Sequence, residues 1–371
     1  MRKIVLILIL VSIPAYFFAQ SIPYASWSDT LLTLNNGLIK RTIELPAKKG
    51  NVLTQVYTPG TSDFNVFTVT EAEFYFELNG KPYTGKSEWK LKTIEPVTDS
   101  LMGNGAAISL TSVDKAVGLV IQYILYPGLP VVRKKLVIQN LSGKETMLES
   151  VDVEKLSTNR YLAPTYSWIY SDYGRRKSIG PYEGSRQDAL VFVHNPDNGA
   201  GIAIGNEAAG VLKSTRVFWK SSDIASGLTH KDDRYPFRAW LKPGASFATP
   251  EVFTIVYVDS NGPGKIMNTV ISDFVRKHMG IRLSILKDKP TFVYNTWHPF
   301  KREINETLIK ELARSAAAAG MKEFVIDDGW ETNFGDWEVD KKKFRYLPTG
   351  IEDDCLIKRR HINKVLSPAT L

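Results

Sequence analysis

Cysteine is nearly absent from this chain of 371 residues, in which Cys355 stands alone. A single cysteine excludes an intrachain disulfide framework, a cysteine-based zinc site and an iron–sulfur cluster. The five histidines are scattered without the spacing of metal ligands, and no segment resembles a dinucleotide-binding or phosphate-binding loop. We therefore expect neither a metal site nor a cofactor.

The net charge of +8 does not predict a nucleic-acid partner, because the excess of basic residues lies at the two ends of the chain. Residues 1–20 contain two basic residues and no acidic residue, and residues 341–371 contain eight basic and three acidic residues. The segment between them is close to neutral. A nucleic-acid-binding face usually shows as a basic stripe on a folded element, and no such stripe is present in this segment.

Residues 1–20 have the pattern of a signal peptide. Arg2 and Lys3 precede an apolar run from Ile4 to Ile13, and Ala19 is a small residue near the expected cut. The run is too short to span a bilayer, which takes about 20 residues. An uncleaved N-terminal anchor is the alternative, and in both cases we expect export to the periplasm or the medium. The later segments are less apolar, so we expect no membrane association after cleavage.

Residues 21–262 predict a large antiparallel β-sandwich. Short segments that alternate between apolar and polar residues are separated by turn signals such as Asn79-Gly80 and Pro127-Gly128. Strands do not alternate with helices here, which favours packed layers of antiparallel strands. The strand candidates are Phe74–Leu78, Ala107–Ser112, Gly118–Tyr126, Val131–Gln139, Ala189–His194, Ile202–Gly205, Thr215–Lys220, Phe237–Leu241 and Glu251–Val258.

The hydrophobic period changes after residue 262. Apolar residues recur at helical spacing up to His278, which predicts a linker helix within residues 263–289. Residues 290–352 predict a strand over 291–296, a helix from about Asn305 or Glu306 to Ala319, and a second strand over 323–327. Such strands are parallel neighbours in a sheet or a (β/α)8 barrel. The predicted buried side of the helix comprises Leu308, Ile309, Leu312, Ala316 and Ala319, and the predicted barrel interior includes Val293, Val325 and Phe324.

Polar and aromatic residues follow both of these strands. The first strand ends in Asn295-Thr296-Trp297-His298 and the second in Asp327-Asp328-Gly329-Trp330. In a (β/α)8 barrel the active site is built at the C-terminal ends of the strands. Carboxylates accept hydrogen bonds from hydroxyls, and indole rings offer large flat apolar faces to sugar rings. The pattern therefore favours a neutral, hydroxyl-rich ligand, while an ordinary surface turn with a helix N-cap is the alternative.

The order and spacing of these residues resemble the melibiase (α-galactosidase) family of glycoside hydrolases, family 36. The likeness covers roughly residues 30–350. Within this range, Gly335–Asp340 and Tyr126–Arg133 also match the family pattern. The resemblance implies an N-terminal antiparallel β-supersandwich followed by the beginning of a (β/α)8 TIM barrel. It further implies a retaining exo-glycosidase that releases terminal α-linked galactose from an oligosaccharide or glycoside.

The resemblance also implies which residues contact the sugar. Asp327 and Asp328 hold galactose hydroxyls, and Trp297 shapes the sugar pocket. Trp330 and Trp337 are expected at the rim of the pocket or behind it. His298 is expected at the rim as well, where it either alters the sugar preference or packs on Trp297.

No catalytic residue is expected in this chain. A retaining glycosidase uses two carboxyl groups about 5–5.5 Å apart, and the resemblance places both on later barrel strands, beyond residue 371. Only 81 residues follow Pro290, whereas a (β/α)8 barrel takes about 250. We therefore expect an incomplete barrel, truncated after its first strands, and a chain that is inactive alone.

Residues 353–371 are expected to be a non-native tail, because helical periodicity is lost and the segment becomes sharply basic. A frameshift or premature stop, a gene-model error and a genuine short protein are the competing explanations. Two other functions stay open. One is a non-catalytic carbohydrate-binding or oligomerisation module, in which the sandwich also mediates a homo-oligomer. The other is a different α-glycosidase or a transglycosidase activity of the same family.

Overall fold

The structure is a computed structural model that describes residues 20–47, 50–60, 72–157, 166–171, 176–180, 184–186, 188–218, 223–279, 292–321, 323–335, 338–345 and 364–366. The chain divides into two compact units, Met1–Met279 and Gly280–Leu371. Within the described ranges, no helix has the length and apolar character needed to cross a membrane. The predicted signal peptide lies outside these ranges except for its last residue.

The first unit consists almost entirely of antiparallel strands. In chain order the strands are β1 (Gln20–Ile22), β2 (Ala25–Trp27), β3 (Leu31–Asn35), β4 (Ile39–Glu44), β5 (Leu53–Pro59), β6 (Glu73–Leu78), β7 (Lys81–Thr84), β8 (Trp89–Thr98), β9 (Asn104–Ser112), β10 (Val117–Tyr126), β11 (Leu129–Asn140), β12 (Thr146–Ser157), β13 (Tyr166–Ser171), β14 (Arg176–Gly180), β15 (Gly184–Arg186), β16 (Leu190–His194), β17 (Ala200–Asn206), β18 (Lys213–Phe218), β19 (Asp223–Leu228), β20 (Arg238–Leu241), β21 (Ser246–Ala248) and β22 (Val252–Val258). A 3₁₀ turn, Gly210–Leu212, precedes β18.

These strands form three sheets around a shared core. Strands β1 to β5 make one sheet in chain order. A ten-stranded sheet has the order β14-β13-β16-β17-β22-β11-β10-β9-β8 with β21 beside β11, and a seven-stranded sheet has the order β15-β18-β19-β12-β6-β7 with β20 beside β12. Apolar side chains from all three sheets, such as Leu34, Phe76 and Ile121, pack into one buried cluster. The predicted large antiparallel sandwich is confirmed.

The nine strand candidates each fall on an observed strand, and their ends differ by at most three residues where both ends are described. Period-two burial along β10 and β11 explains this agreement, because alternate side chains on each strand enter the core. The last residues predicted for one candidate, Trp219 and Lys220, lie outside the described residues.

A helix follows the sandwich, as its apolar spacing predicts. It comprises α1 (Gly262–Ile266), a π turn (Met267–Ile271) and α2 (Ser272–His278). Phe274 packs against Tyr126 and Phe253, with ring centroids 5.1 and 4.9 Å apart, so the helix is docked on the sandwich. Residues 280–289, the rest of the predicted linker, lie outside the described residues.

The second unit contains one strand–helix–strand connection. Its elements are β23 (Val293–Asn295), α3 (Trp297–Phe300), α4 (Glu306–Ala318), β24 (Glu323–Ile326) and β25 (Lys364–Leu366). β23 and β24 are parallel neighbours, as predicted, and this pair is the start of a barrel. β25 pairs with the other edge of β24 in the antiparallel direction. β25 lies in the predicted non-native tail, whose origin stays a prediction.

Two details of the predicted packing in this unit are wrong. Ala319 is exposed because it is the C-cap of α4, and Ala313 is buried in its place. Phe324 does not face a barrel interior: it is buried against α4, where its ring stacks on Tyr294 at 5.1 Å. Alternation along β24 therefore places Val325 on the face opposite the helix.

Candidate functional site

The ends of β23 and β24 come together through Asn295. In the parallel pair Asn295 lies opposite Val325, and alternation places Asp327 on the same face two residues later. Asn295 Nδ2 donates a hydrogen bond to Asp327 Oδ2 at 2.9 Å. The backbone N–H of Trp297 donates to Asn295 Oδ1 at 2.7 Å. One amide side chain thus connects the turn that carries Trp297 to the carboxylate of Asp327.

The backbone of Asp327 is held from a second direction. Thr296 is fully buried, and its Oγ1 accepts a hydrogen bond from Asp327 N at 2.9 Å. The other carboxylate oxygen of Asp327 accepts from the N–H of Asp328 at 2.9 Å. Asn295 and the Asp328 N–H therefore orient the Asp327 carboxylate, and Thr296 holds the backbone of Asp327, while the side chain stays half-exposed.

Trp297 begins the short helix α3 and is half-buried, whereas His298 is exposed. The Lys301 ammonium lies over the Trp297 indole, 4.8 Å from its centroid. Lys301 has a positive φ of 51°, and its N–H donates to Trp297 O at 2.8 Å. A cation thus lies against one face of the Trp297 indole.

Asp328 is half-exposed beside Asp327. Burial raises the pKa of Asp328, the negative charges of Glu331 and Asp327 raise it further, and Arg302 opposes the shift. Two neighbouring carboxyl groups therefore differ in environment: hydrogen bonds orient Asp327, while Asp328 is held less favourably in its ionised form.

Three further residues connect the two turns, and none of them was predicted as a site residue. The Glu331 side chain is fully buried and accepts a hydrogen bond from Arg302 Nη2 at 2.8 Å. Lys343 Nζ donates to the backbone carbonyls of Arg302 and Gly329. The residue next to this turn, Trp330, is 5% exposed and packs in the core behind the site.

The remaining predicted site residue, Trp337, lies outside the described residues. Among the described residues no group of histidine, cysteine, aspartate or glutamate side chains is arranged to hold a metal ion. The two strand ends thus bring together an indole, two carboxylates and an ammonium, an arrangement suited to binding a hydroxyl-rich molecule.

The fold class is a large antiparallel β-sandwich followed by the first parallel strands of an incomplete barrel. The Melibiase family model matches residues 246–365, which include β23, α4, β24 and both turns. Alpha-galactosidase 1 from Pediococcus pentosaceus is 32% identical over 117 residues, which are 30% of this chain and 15% of that protein. Residues 246–365 are thus a segment similar to the melibiase family, and the relative named here is an α-galactosidase.

Solved structures agree on the fold. The α-galactosidase from Lactobacillus brevis superposes with a TM-score of 0.66 at 17% identity, over 87% of this chain and 52% of that one. A variant of the family 36 α-galactosidase AgaA from Geobacillus stearothermophilus, solved in complex with raffinose, gives a TM-score of 0.63 at 17% identity, over 85% of this chain and 53% of that one. The chain spans about half the length of these structures, and its aligned part spans about a sixth of the first curated relatives.

Proposed function

We propose that this chain binds the terminal, non-reducing α-linked galactose of an oligosaccharide or glycoside, as part of an α-galactosidase-type glycoside hydrolase. The observation that carries the proposal is the bond from Asn295 to Asp327, which unites two strand ends inside the melibiase segment. Asp327 and Asp328 accept hydrogen bonds from the galactose hydroxyls, and Trp297 covers one side of the ring. His298 lies at the rim.

In this proposal the two aspartates bind sugar and do not perform the chemistry. Hydrolysis with retention needs a nucleophile and an acid/base about 5–5.5 Å apart. The hydrogen bonds from Asn295 and from the Asp328 N–H orient the Asp327 carboxylate as an acceptor, and the buried Glu331 carboxylate is bonded to Arg302 and Gly329. We therefore expect the 371-residue chain alone to bind sugar without cleaving it.

Calorimetric titration of the full chain with raffinose tests the binding site, with sucrose as the control that lacks galactose. We expect binding of raffinose, no binding of sucrose, and loss of raffinose binding in Asp327→Ala. If a double variant, Asp327→Ala with Asp328→Ala, still binds raffinose, the sugar site does not lie at these two residues. That outcome would support the alternative of a carbohydrate-binding sandwich. Cleavage of an aryl α-galactoside that Asp327→Ala abolishes would show that the chain holds a complete catalytic site.

Export is part of the same proposal. Its support is the charged start of the chain, Arg2 and Lys3, followed by the apolar run Ile4 to Ile13. Fractionation of cells that express the full chain, with sequencing of the mature N-terminus, tests this. A product that stays in the cytoplasm with Met1 intact contradicts it.

A further inference from the structure

The Glu331 carboxylate uses its two oxygens on two different turns. Oε2 accepts a hydrogen bond from the backbone N–H of Gly329 at 3.0 Å, within the turn that carries Asp327 and Asp328. Oε1 accepts from Arg302 Nη2 at 2.8 Å, on the segment that follows Trp297. A single buried carboxylate therefore connects the two halves of the candidate site.

The same two turns also touch through their backbones. Lys343 Nζ donates to Arg302 O at 2.9 Å and to Gly329 O at 3.2 Å. Gly329 has a φ of 106°, and a Cβ built on it would lie 2.6 Å from Arg302 O. Only glycine allows this approach, so the contact depends on the backbone as well as on the charges.

The connection ends next to a strained residue. Arg302 directly follows Lys301, whose positive φ of 51° is unfavourable for a residue with a side chain. Such a conformation persists where the surrounding structure fixes it, and it is concentrated at functional sites. Here the bond from Lys301 N to Trp297 O on one side and the Arg302 contacts on the other fix it.

We propose that Glu331 and Arg302 are a positioning pair, which holds the Trp297 turn in register with the Asp327–Asp328 turn for sugar binding. The inference rests on the proposed function and deepens it. Neither side chain is assigned a contact with sugar; both act through the turns they join. Correct placement matters because a misplacement of about 1 Å can lower the rate of an enzyme reaction about 100-fold, and sugar binding depends in the same way on where the groups lie.

Amide hydrogen exchange of the full chain tests the pair without any sugar. We expect Glu331→Gln to accelerate exchange at least about tenfold in peptides that cover 296–304 and 327–332. Glu303→Gln is the matched control, since Glu303 is exposed and lies next to Arg302. In a double-mutant cycle, the amides of the Arg302→Met, Glu331→Gln double variant should exchange no faster than those of the faster single variant, because both substitutions remove the same interaction. Exchange in Glu331→Gln equal to that of the control overturns the proposal.

A carboxyl titration separates positioning from mere packing. Glu331 contributes, after burial, to the raised pKa of Asp328, so removing its charge lowers that pKa. Glu331→Asp keeps the charge but is one methylene too short to reach both turns. Carbon-13 titration of the Asp328 carboxyl should therefore give a lower midpoint in Glu331→Gln than in Glu331→Asp. Equal midpoints contradict the assigned orientation of the Glu331 charge towards this turn.

Raffinose affinity completes the test. We expect Glu331→Gln to weaken binding about tenfold while Glu303→Gln binds like the wild type. Equal affinity in wild type and Glu331→Gln overturns the positioning role and leaves the proposed function intact. If the wild type itself binds no raffinose, the proposed function fails, whereas the exchange and titration measurements still decide whether the pair joins the two turns.

Discussion

Asn295 Nδ2 lies 2.9 Å from Asp327 Oδ2, and this hydrogen bond joins two residues that are 32 positions apart in the chain. The connecting segment is the helix α4, which returns the chain so that β23 and β24 run parallel. Because parallel strands end at the same edge, a polar residue after one strand meets a polar residue after the next. The site geometry is thus a direct consequence of the topology.

Asn295→Ala should weaken sugar binding while the fold remains. The substitution removes the donor to a carboxylate, and a hydrogen bond to a charged group contributes about 1.5–3 kcal/mol. We expect a weaker raffinose affinity, measured by calorimetry, with that contribution as the upper limit of the loss, because the bond is already present without sugar. Asn305→Ala is the matched control: Asn305 caps α4 through Leu308 N at 3.0 Å, so its loss should cost about 1 kcal/mol of stability and leave affinity unchanged. Equal affinity losses would contradict the prediction.

Asp328→Asn should stabilise the protein at neutral pH. Burial and the charges of Glu331 and Asp327 raise the pKa of Asp328, so the folded state binds its proton more tightly than the unfolded state does. The contribution of Asp328 to stability is therefore present below its unfolded pKa and is lost as the pH rises through the folded value. We expect the variant to have a higher Tm at pH 7 and an unchanged Tm near pH 3. A lower Tm at pH 7 would contradict the direction of the shift.

The raised pKa of Asp328 should also make sugar binding weaker at acid pH. In the proposed site an ionised Asp328 accepts hydrogen bonds from sugar hydroxyls, so raffinose affinity should fall as the pH drops through the pKa of Asp328, which lies above the ordinary value of about 3.9. In Asp328→Asn that part of the pH dependence should vanish. Calorimetric titrations between pH 4 and pH 7, in steps of about half a unit, give the comparison; identical pH profiles in the two proteins would exclude Asp328 from the site.

Gly329→Ala should be more harmful than Gly335→Ala, although both glycines have a positive φ, of 106° and 100°. An L-residue in such a conformation costs of order 1–3 kcal/mol at either position. At Gly335 nothing lies within 4 Å of an added Cβ, whereas at Gly329 the Arg302 carbonyl lies 2.6 Å away. Exchange kinetics of the 327–332 segment in the two variants should therefore differ, with Gly329→Ala faster. Equal rates would mean that the turns do not need their close approach.

The helix and strands around the site could be predicted because local signals agree there. Asn305 accepts from Leu308 N as an N-cap, and Gly320 adopts a φ of 82° after the last turn of α4. The strand Phe324 to Ile326 is apolar on both faces, as parallel strands are. Arg302 and Glu331 could not be predicted in this way, since a glutamate that is buried by a distant arginine looks in sequence like any surface glutamate.

Two of the strands that the sequence missed, β4 and β12, have charged residues at buried positions. On β4 Arg41 is fully buried, and on β12 Asp152 and Glu154 are 2% and 1% exposed. Charges at these positions break the period-two pattern, which is the main signal for a strand. Their partners are remote in sequence: Arg41 bonds Glu154 across 113 positions. Only the tertiary fold reveals that these residues are satisfied.

Four buried charged side chains form ion pairs with one another inside the sandwich. Arg41 lies 2.7 Å from both Glu73 and Glu154, and Lys134 lies 2.9 and 3.0 Å from the same two carboxylates. All four side chains are at most 1% exposed. Two cations and two anions balance, and Tyr123 donates a further hydrogen bond to Glu73 at 2.7 Å. The net charge of the cluster is therefore zero only while all four side chains are present.

Removing one member should destabilise the sandwich strongly. Arg41→Met leaves two buried carboxylates with one cation, and breaking a buried pair in this way costs about 3–5 kcal/mol. Chemical denaturation of the first unit, followed by circular dichroism, should show that loss. Lys277→Met is the control, because Lys277 pairs with Asp273 on an exposed helix face and such pairs contribute about 0.3–0.5 kcal/mol.

The cluster should also make the sandwich sensitive to acid. Burial by itself would raise the pKa of Glu73, but the charges of Arg41 and Lys134 outweigh burial and hold it below the ordinary value. A lowered folded pKa contributes stability that is present above the unfolded pKa and lost as the pH falls towards the folded value. The free energy of unfolding should therefore decline below about pH 4. The decline should be less steep in Glu73→Gln, because this variant has no carboxylate at position 73 to protonate. Parallel declines in wild type and variant would show that Glu73 is not the group that titrates.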